Sequence, residues 1–462
     1  MRQPVLNDKL ISSLIADDKM RELCALLLYE VYEKGAYTNL VIKRCDAVAR
    51  DRGIYLKTLR AMLYGTVTYT YTIDFIVKHI AKRDVNKLDA FPRTLIRFGC
   101  WQILFSDKIP GFAAVSETVN IADRYCPGAK GLINAVLRRI CDAPADDKDP
   151  MRFRPDAALS LKSEIYGIFK RDYGKERALS IGKAFLDRPK VTIRYNPEKI
   201  SAAEIENILQ EESFCVNPGS FLPEILTIET GLAGLENSEA FEKGLFFVQN
   251  EAAALASHIA SPFKGSRILD CCAAPGGKTT HMAELTGGEA DILATDSSAS
   301  RLELLKQNLD RLNINCVRTQ VLDCTDMSQL DEDFDIVLAD CPCSGLGIIG
   351  RKPDIRLNMT YGIIQEIIGI QQKILDEASH KVKTGGALIY CTCTINKDEN
   401  ENQVRRFLDE HKDFRAVSVI PYLPEKLIMD DRRREDAENG FITLLPDSDS
   451  CDGFFIARME RV

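Results

Sequence analysis

No stretch of this 462-residue chain stays apolar for the ~18–20 residues that a membrane-spanning helix needs. No basic segment leads into an apolar stretch at its start. These absences give the expectation of a soluble, cytoplasmic protein with no membrane contact. Internal repeats and low-complexity tracts are missing too, which excludes solenoids and flexible tails as the main architecture. Histidine is scarce: His79, His258, His281, His380 and His411 are so scattered that, read in sequence, they form no ligand pair. No strong excess of positive charge marks the whole chain, whose net charge is −8.

Cysteine, by contrast, is plentiful. Fifteen is an odd number, scattered singly or in tight pairs, and at this chain length it reads as reduced thiols rather than a disulfide framework. Two pairs stand out, in LADCPCSG (338–345) and IYCTCTIN (389–396), each directly after an apolar run. Cys343 and Cys393 are 50 residues apart. Structural zinc sites use Cys-x2–4-Cys spacing, whereas both pairs here are Cys-x-Cys. Alternate strand residues share a face, so spacing alone leaves a tetrahedral site open. The expectation is nevertheless no metal, with Cys341 and Cys391 as small buried residues.

Charge is uneven. Residues 1–150 hold 23 Lys and Arg against 18 Asp and Glu, and the remainder holds 37 against 50. The first third permits a nucleic-acid-binding module, although ordinary solvated helix faces would give the same surplus. Residues 1–145 read as all-helical. RELCALLLYEVYEKG carries apolar residues at helical spacing and stops at Gly35, and GLINAVLRRI sets Leu132, Val136 and Ile140 on one face. DAPADDKDP (142–150) reads as a linker. Residues 150–235 mix a helical start with short strands such as KVTIRYNP, the pattern of a small α/β domain. Residues 236–462 alternate strand and helix, as a Rossmann-like parallel sheet with helices on both faces requires. DDRRREDAEN (430–439) reads as a solvated loop.

Ligands of such a sheet bind beyond the carboxyl ends of its strands. Those ends are Asp270–Lys278, Asp296, Asp340–Ser344 and Cys391–Thr394, so both cysteine pairs fall on the functional edge. AAPGGKTT (273–280) invites a phosphate-loop reading, but the first glycine of that motif would have to be residue 272, which is cysteine. A nucleoside cofactor fits better. Gly276 and Gly277 let a ligand approach the backbone, and Asp296, 26 residues after Asp270, stands where an acid accepts ribose hydroxyls. The dinucleotide G-x-G-x-x-G is absent, which favours S-adenosyl-L-methionine over NAD.

The stretches FFVQNEAAAL, ILDCCAAPGGKTTHMAE, ATDSSASRL, DFDIVLADCPCSGLGIIGRKPDIR, GGALIYCTCTINKDENENQV and DGFFIARME resemble the RNA cytosine-5 methyltransferases that carry two active-site cysteines. TLIRFGCWQILFSDKIPGFAAVSETVNIA and GLINAVLRRI resemble the NusB-like RNA-binding domain, and IFKRDYGKERALSIGKAFLDRPKVTIRYN resembles the linking domain of one subgroup. The resemblance covers nearly the whole chain. It implies a multidomain enzyme that methylates one cytosine of 16S rRNA, with S-adenosyl-L-methionine as cofactor and 16S rRNA as partner; a monomer is the expected working form. It places the methyl-donor loop on Cys272, Ala273, Ala274, Pro275, Gly276, Gly277 and Lys278, the ribose acid on Asp296 and the adenine-side acid on Asp323. It further implies that Asp340 lines the cofactor and the base, that Cys393 is the nucleophile and that Cys343 assists release. The family's Gly-Asp-Gly is replaced around Asp323 by Leu322 and Cys324, and Thr394 stands where serine is common. Arg93, Arg97, Arg138 and Arg139 are the expected RNA contacts, with Arg351 and Lys352 as further candidates. A tRNA substrate, or a silent ribosome-assembly factor, would share most of these features.

Overall fold

The computed structural model describes residues 6–50, 54, 56–230 and 232–462. Residues 1–5, 51–53 and 55 of the expected helical domain, and residue 231 of the linking domain, lie outside the described residues. The sequence suggests three parts; the fold divides into two compact units, Met1–Asp187 with Ile349–Met359, and Arg188–Ile348 with Thr360–Val462.

The first unit is helical. Its main helices run Asp8–Ala16, Met20–Lys34, Thr38–Arg50, Lys57–Thr68, Ala90–Phe105, Gly111–Tyr125, Lys130–Asp142 and Ser163–Ala184. Met20–Lys34 ends where its pattern predicts: Gly35 adopts φ +69° and donates its N–H to the Glu30 carbonyl, a left-handed cap that glycine adopts without strain. Leu23, Leu27, Leu63, Leu95, Phe98, Leu137 and Ile140 fill the core. The segment 349–359, which reads in sequence as a continuation of the Cys343 loop, is built into this unit. There the buried Arg356 donates to the carbonyls of Leu159, Ser160 and Phe185 at 2.8–2.9 Å.

This unit corrects one expectation. Arg97 is buried, and its guanidinium grips both Asp74 oxygens (2.9 and 2.7 Å) and Asn86 Oδ1 (3.1 Å). A phosphate would have to break that set, so Arg97 is a structural residue. Arg93 is likewise committed, to Glu33. Arg138 and Arg139 are exposed.

The second unit holds two sheets. Strands β1 (Val191–Tyr195), β2 (Cys215–Pro218), β3 (Ile225–Thr230) and β4 (Phe246–Val248) form an antiparallel sheet in the order β2-β3-β1-β4. The large sheet contains β5 (Arg267–Asp270), β6 (Asp291–Asp296), β7 (Val317–Val321), β8 (Phe334–Asp340), β9 (Val382–Thr392), β10 (Phe414–Ala416), β11 (Phe441–Leu444) and β12 (Phe454–Arg461). Its order is β10-β12-β9-β8-β5-β6-β7, with β11 also on β12. From β9 to β7 all pairs are parallel; β10, β11 and β12 join antiparallel. The central strands are apolar along nearly their whole length, as strands covered on both faces must be. The mixed-charge run at 430–439 is a helix, Asp431–Glu438, rather than a loop: Asp430 caps it by accepting from the Arg433 N–H. Among the described residues, no helix is long and apolar enough to cross a membrane.

Candidate active site

Strands β8 and β9 are parallel neighbours, with Asp340 opposite Cys391. Beyond these positions the two segments run on side by side, which is what brings residues 50 apart together. The Cys341 N–H donates to the Cys391 carbonyl (3.0 Å), and the Gly347 N–H donates to the Cys393 carbonyl (3.1 Å). Gly347 also carries the Gly453 N–H on its carbonyl (2.8 Å). A Cβ on Gly347 would lie 2.1 Å from the Gly453 oxygen, so only glycine allows this approach. The Sγ atoms of Cys343 and Cys393 end 3.0 Å apart, both side chains partly accessible. All fifteen cysteines are free thiols. The Cys393 thiol beside it, together with burial, pushes Cys343 well above the ordinary thiol range, so Cys343 keeps its proton at neutral pH.

Lys278 and Asp340 meet at the same edge, 2.6 Å apart. The lysine is no surface residue: its side chain is 10% exposed and its ammonium lies 5.0 Å over the Phe454 ring. Burial opposes its charge, but the Asp340 carboxylate, with Cys391 and Asp270 behind it, raises it above the usual lysine range. Cys391 is buried as expected, yet its Sγ lies 3.4 Å from the other Asp340 oxygen.

The glycine loop leaves β5 at Asp270 and enters the helix Gly277–Leu285. Gly276 takes φ +105°, and a Cβ there would lie 2.3 Å from Leu305 Cδ1. Arg301 donates to the Ala274 carbonyl (2.5 Å) and Asn308 to the Pro275 carbonyl (3.1 Å), which ties the loop to the helix Ala299–Leu312. Asp296, at the end of β6, is buried; Ser298 donates to its Oδ1 (3.0 Å), while Oδ2 has Arg301 at 3.1 Å but no hydrogen bond of good geometry. A buried acid with one oxygen short of a well-formed hydrogen bond, beside a glycine cradle, suits a ribose hydroxyl. Asp323 is exposed and accepts from the Thr325 N–H (3.0 Å) and hydroxyl (2.8 Å). Residues 272–278, Asp296 and Asp340 thus lie at the carboxyl ends of the neighbouring strands β5, β6 and β8, and Asp323 follows β7, the strand beyond β6. The residues fit a nucleoside sulfonium cofactor; a triphosphate would find Lys278 already committed to a carboxylate.

A model of the 16S rRNA methyltransferase RsmB/F family matches residues 257–460, and a NusB family model matches residues 18–142. A protein of Synechocystis sp. named probable ribosomal RNA small subunit methyltransferase B is 31% identical, over 96% of this chain and 99% of that protein. The Bacillus subtilis protein of the same name is 31% identical, over 96% and 98%.

The chain belongs to the ribosomal RNA small subunit methyltransferase B family.

A crystal structure of PH0851 superposes over both full chains with a TM-score of 0.77 at 25% identity. Membership makes this chain an rRNA methyltransferase that uses S-adenosyl-L-methionine, with a NusB-like helical domain and a Rossmann-like catalytic domain.

Sequence reading misses several members of the site. Glu399 is buried and accepts from the Ser344 N–H (2.7 Å), the Ser344 hydroxyl (2.5 Å), Asn396 Nδ2 (2.9 Å), Gln371 Nε2 (3.3 Å) and the Thr394 hydroxyl (3.4 Å). Arg194 of β1, fully buried, donates to Gln249, the Gly277 carbonyl (2.9 Å), Thr280 (3.0 Å) and Glu284 (2.9 Å), and so clamps the first turns of the glycine-loop helix. The only sequence signal for Glu399 is an acid- and amide-rich run straight after Cys393. Arg194 gives none, because its partners are 55 to 90 residues away. The reading of the histidines also changes. His258 and His281 stand edge to face, 5.1 Å between centroids, and both approach Glu224, at 2.6 and 3.5 Å. They do form a pair, one that joins the helices 251–260 and 277–285 to the start of β3.

Proposed function

We propose that this enzyme methylates C5 of a specific cytosine in 16S rRNA through a covalent adduct between Cys393 and C6 of the base. The observation that carries the proposal is the 3.0 Å approach of two thiols beside the Lys278–Asp340 pair, at the cofactor edge of the sheet. Cytosine C5 is too weak a nucleophile to attack an alkyl donor unaided. When the Cys393 sulfur bonds to C6, electron density moves onto C5 and toward N3. Asp340, held by Lys278, faces the ring nitrogen, and the pair carries the proton that neutralises N3. S-adenosyl-L-methionine supplies an electrophilic methyl group. The C5 that has taken up this methyl still bears its own proton. Cys343 assists its loss to water: the C5–H electrons form the C5–C6 double bond, the S–C6 bond breaks so that Cys393 leaves as thiolate, and N3 returns its proton to the Lys278–Asp340 pair. Residues 272–278 and Asp296 hold the cofactor, with Asp323 on its adenine side.

Division of the chain into a helical RNA-binding domain (1–145), a linking domain (150–235) and a catalytic domain (236–462) belongs to the same proposal, as do a monomeric state and a cytoplasmic location. Fifteen free thiols suit a reducing compartment. The exposed Arg138 and Arg139 are the retained candidates for phosphate contact.

Transfer of labelled methyl to deproteinised 16S rRNA tests the reading. Wild type should label a cytosine C5, Cys393→Ala should not, and Cys343→Ala should accumulate a protein–RNA adduct stable to denaturation. An adduct with Cys393→Ala but none with Cys343→Ala would reverse the two roles. Label on tRNA alone would displace the substrate, and label on neither would leave a binding factor.

A further inference from the structure

Four of the five hydrogen bonds that the Glu399 carboxylate accepts come from the two loops that carry Cys343 and Cys393. Ser344, which donates to it twice, is the residue after Cys343; Thr394 is the residue after Cys393, and Asn396 lies on the same loop. Gln371 donates both to Glu399 and to the carbonyl of Pro342, the residue before Cys343. The neighbouring Asn400 accepts from the Thr392 hydroxyl (2.6 Å) and donates to the Thr394 carbonyl (3.0 Å), one on each side of Cys393. Both cysteines are thus bracketed through one buried node. The hydroxyls of Ser344 and Thr394 also meet each other at 2.9 Å across it.

The donor set decides the chemical form that fits. Oε1 faces the Ser344 backbone N–H, and Oε2 faces Asn396 Nδ2, whose own Oδ1 accepts from the Asp398 N–H (3.3 Å). Each oxygen therefore meets a group that can only donate, so the site is built for a carboxylate and an amide cannot replace it. Burying a charge is costly, and apolar packing of equal volume is often as stable. The Glu399 carboxylate, met by donors from both loops, defines one arrangement of them. Sulfur-to-sulfur placement at 3.0 Å is the geometry in question.

We propose that Glu399 is the positioning residue of the reaction: it clamps the Cys343 and Cys393 loops together and sets the separation of their thiols. This rests on the reading above that these two thiols react. Glu399 is fully buried and its carboxylate is met by protein donors, so its effect should appear in turnover and in thiol placement rather than in cofactor binding.

The test uses the full-length protein with Glu399→Gln and, separately, Ser344→Ala. Four quantities are read: kcat and KM for S-adenosylmethionine, the melting midpoint, and the rate at which diamide joins Cys343 to Cys393. In that assay the two thiols lose two hydrogens to the reagent, so the rate reports their proximity. For Glu399→Gln we expect kcat to fall on the order of 10²-fold, with KM changed less than about threefold and disulfide closure slowed in parallel. Ser344→Ala, which keeps the backbone N–H, should fall about tenfold. A folded Glu399→Gln protein with kcat and closure rate near wild type overturns the proposal. If Glu399→Gln does not fold, an unchanged Ser344→Ala overturns it. Should Cys393→Ala retain full activity, the thiol reading fails instead, and the closure rate still judges the clamp.

Discussion

Asp270, at the end of β5 beneath the glycine loop, should make the catalytic unit less stable as pH rises. Its carboxyl is 1% exposed; Thr279 donates to one oxygen (2.7 Å) and the other has no hydrogen-bond partner. Burial, reinforced by Asp340 and only partly offset by Thr279 and Lys278, pushes it up from 3.8 to about 7. The folded state therefore binds the proton more tightly than the unfolded chain. Below about pH 4 both forms are protonated and the group contributes nothing. Between about pH 4 and 7 only the unfolded chain ionises, and stability falls with each unit by about 1.4 kcal/mol. Above pH 7 the loss levels off near 4 kcal/mol, to within about one pH unit's worth. Asp270→Asn removes this titration. The stability difference between mutant and wild type should grow by about 3 kcal/mol from pH 4.5 to pH 8. The single tryptophan, Trp101, lies in the helical unit and cannot report this transition. Amide hydrogen exchange of peptides from β5 and β8, compared at equal pH, can. Parallel curves for mutant and wild type across that range would refute the assignment of a protonated Asp270.

Two further outcomes follow from the cradle. Gly276→Ala must place a side chain at φ +105° against the buried Leu305; left-handed strain and overpacking together should cost about 2–4 kcal/mol, seen as a lower melting midpoint and weaker S-adenosylmethionine binding by calorimetry. A mutant with wild-type values for both would show that the loop relaxes freely. Arg194→Met should cost about 3–5 kcal/mol, because it leaves Glu284, itself 9% exposed, without its buried partner; the double variant Arg194→Met, Glu284→Leu should recover part of that loss in a double-mutant cycle.

The helices of the first unit, the strand–helix alternation of the second and the edge residues of its sheet were legible in the sequence because they rest on local signals. Apolar spacing announced the helix Met20–Lys34, Gly35 announced its end, and apolar runs ending in Asp270, Asp296 and Asp340 announced the strands. The cysteine motifs announced two thiols but not their distance. Arg97 looked like a free cation on a helix because Asp74, 23 residues away, is invisible to local pattern. The charged run at 430–439 hid its helix for a different reason: its cap and first turn gave a weaker signal than its composition.

The sequence by itself determined which side chains this protein owns at each strand end: two thiols, a lysine, three acids and a glycine loop. Only the tertiary structure decided which of them meet. The parallel pairing of β8 with β9 puts Cys343 against Cys393, the turn of the loop after β5 puts Lys278 on Asp340, and the fold of the segment after Cys393 brings Glu399 beneath both thiol loops. These are contacts over 50 to 62 residues, set by strand register and by where a buried carboxylate can find its donors, and no local stretch of chain encodes them.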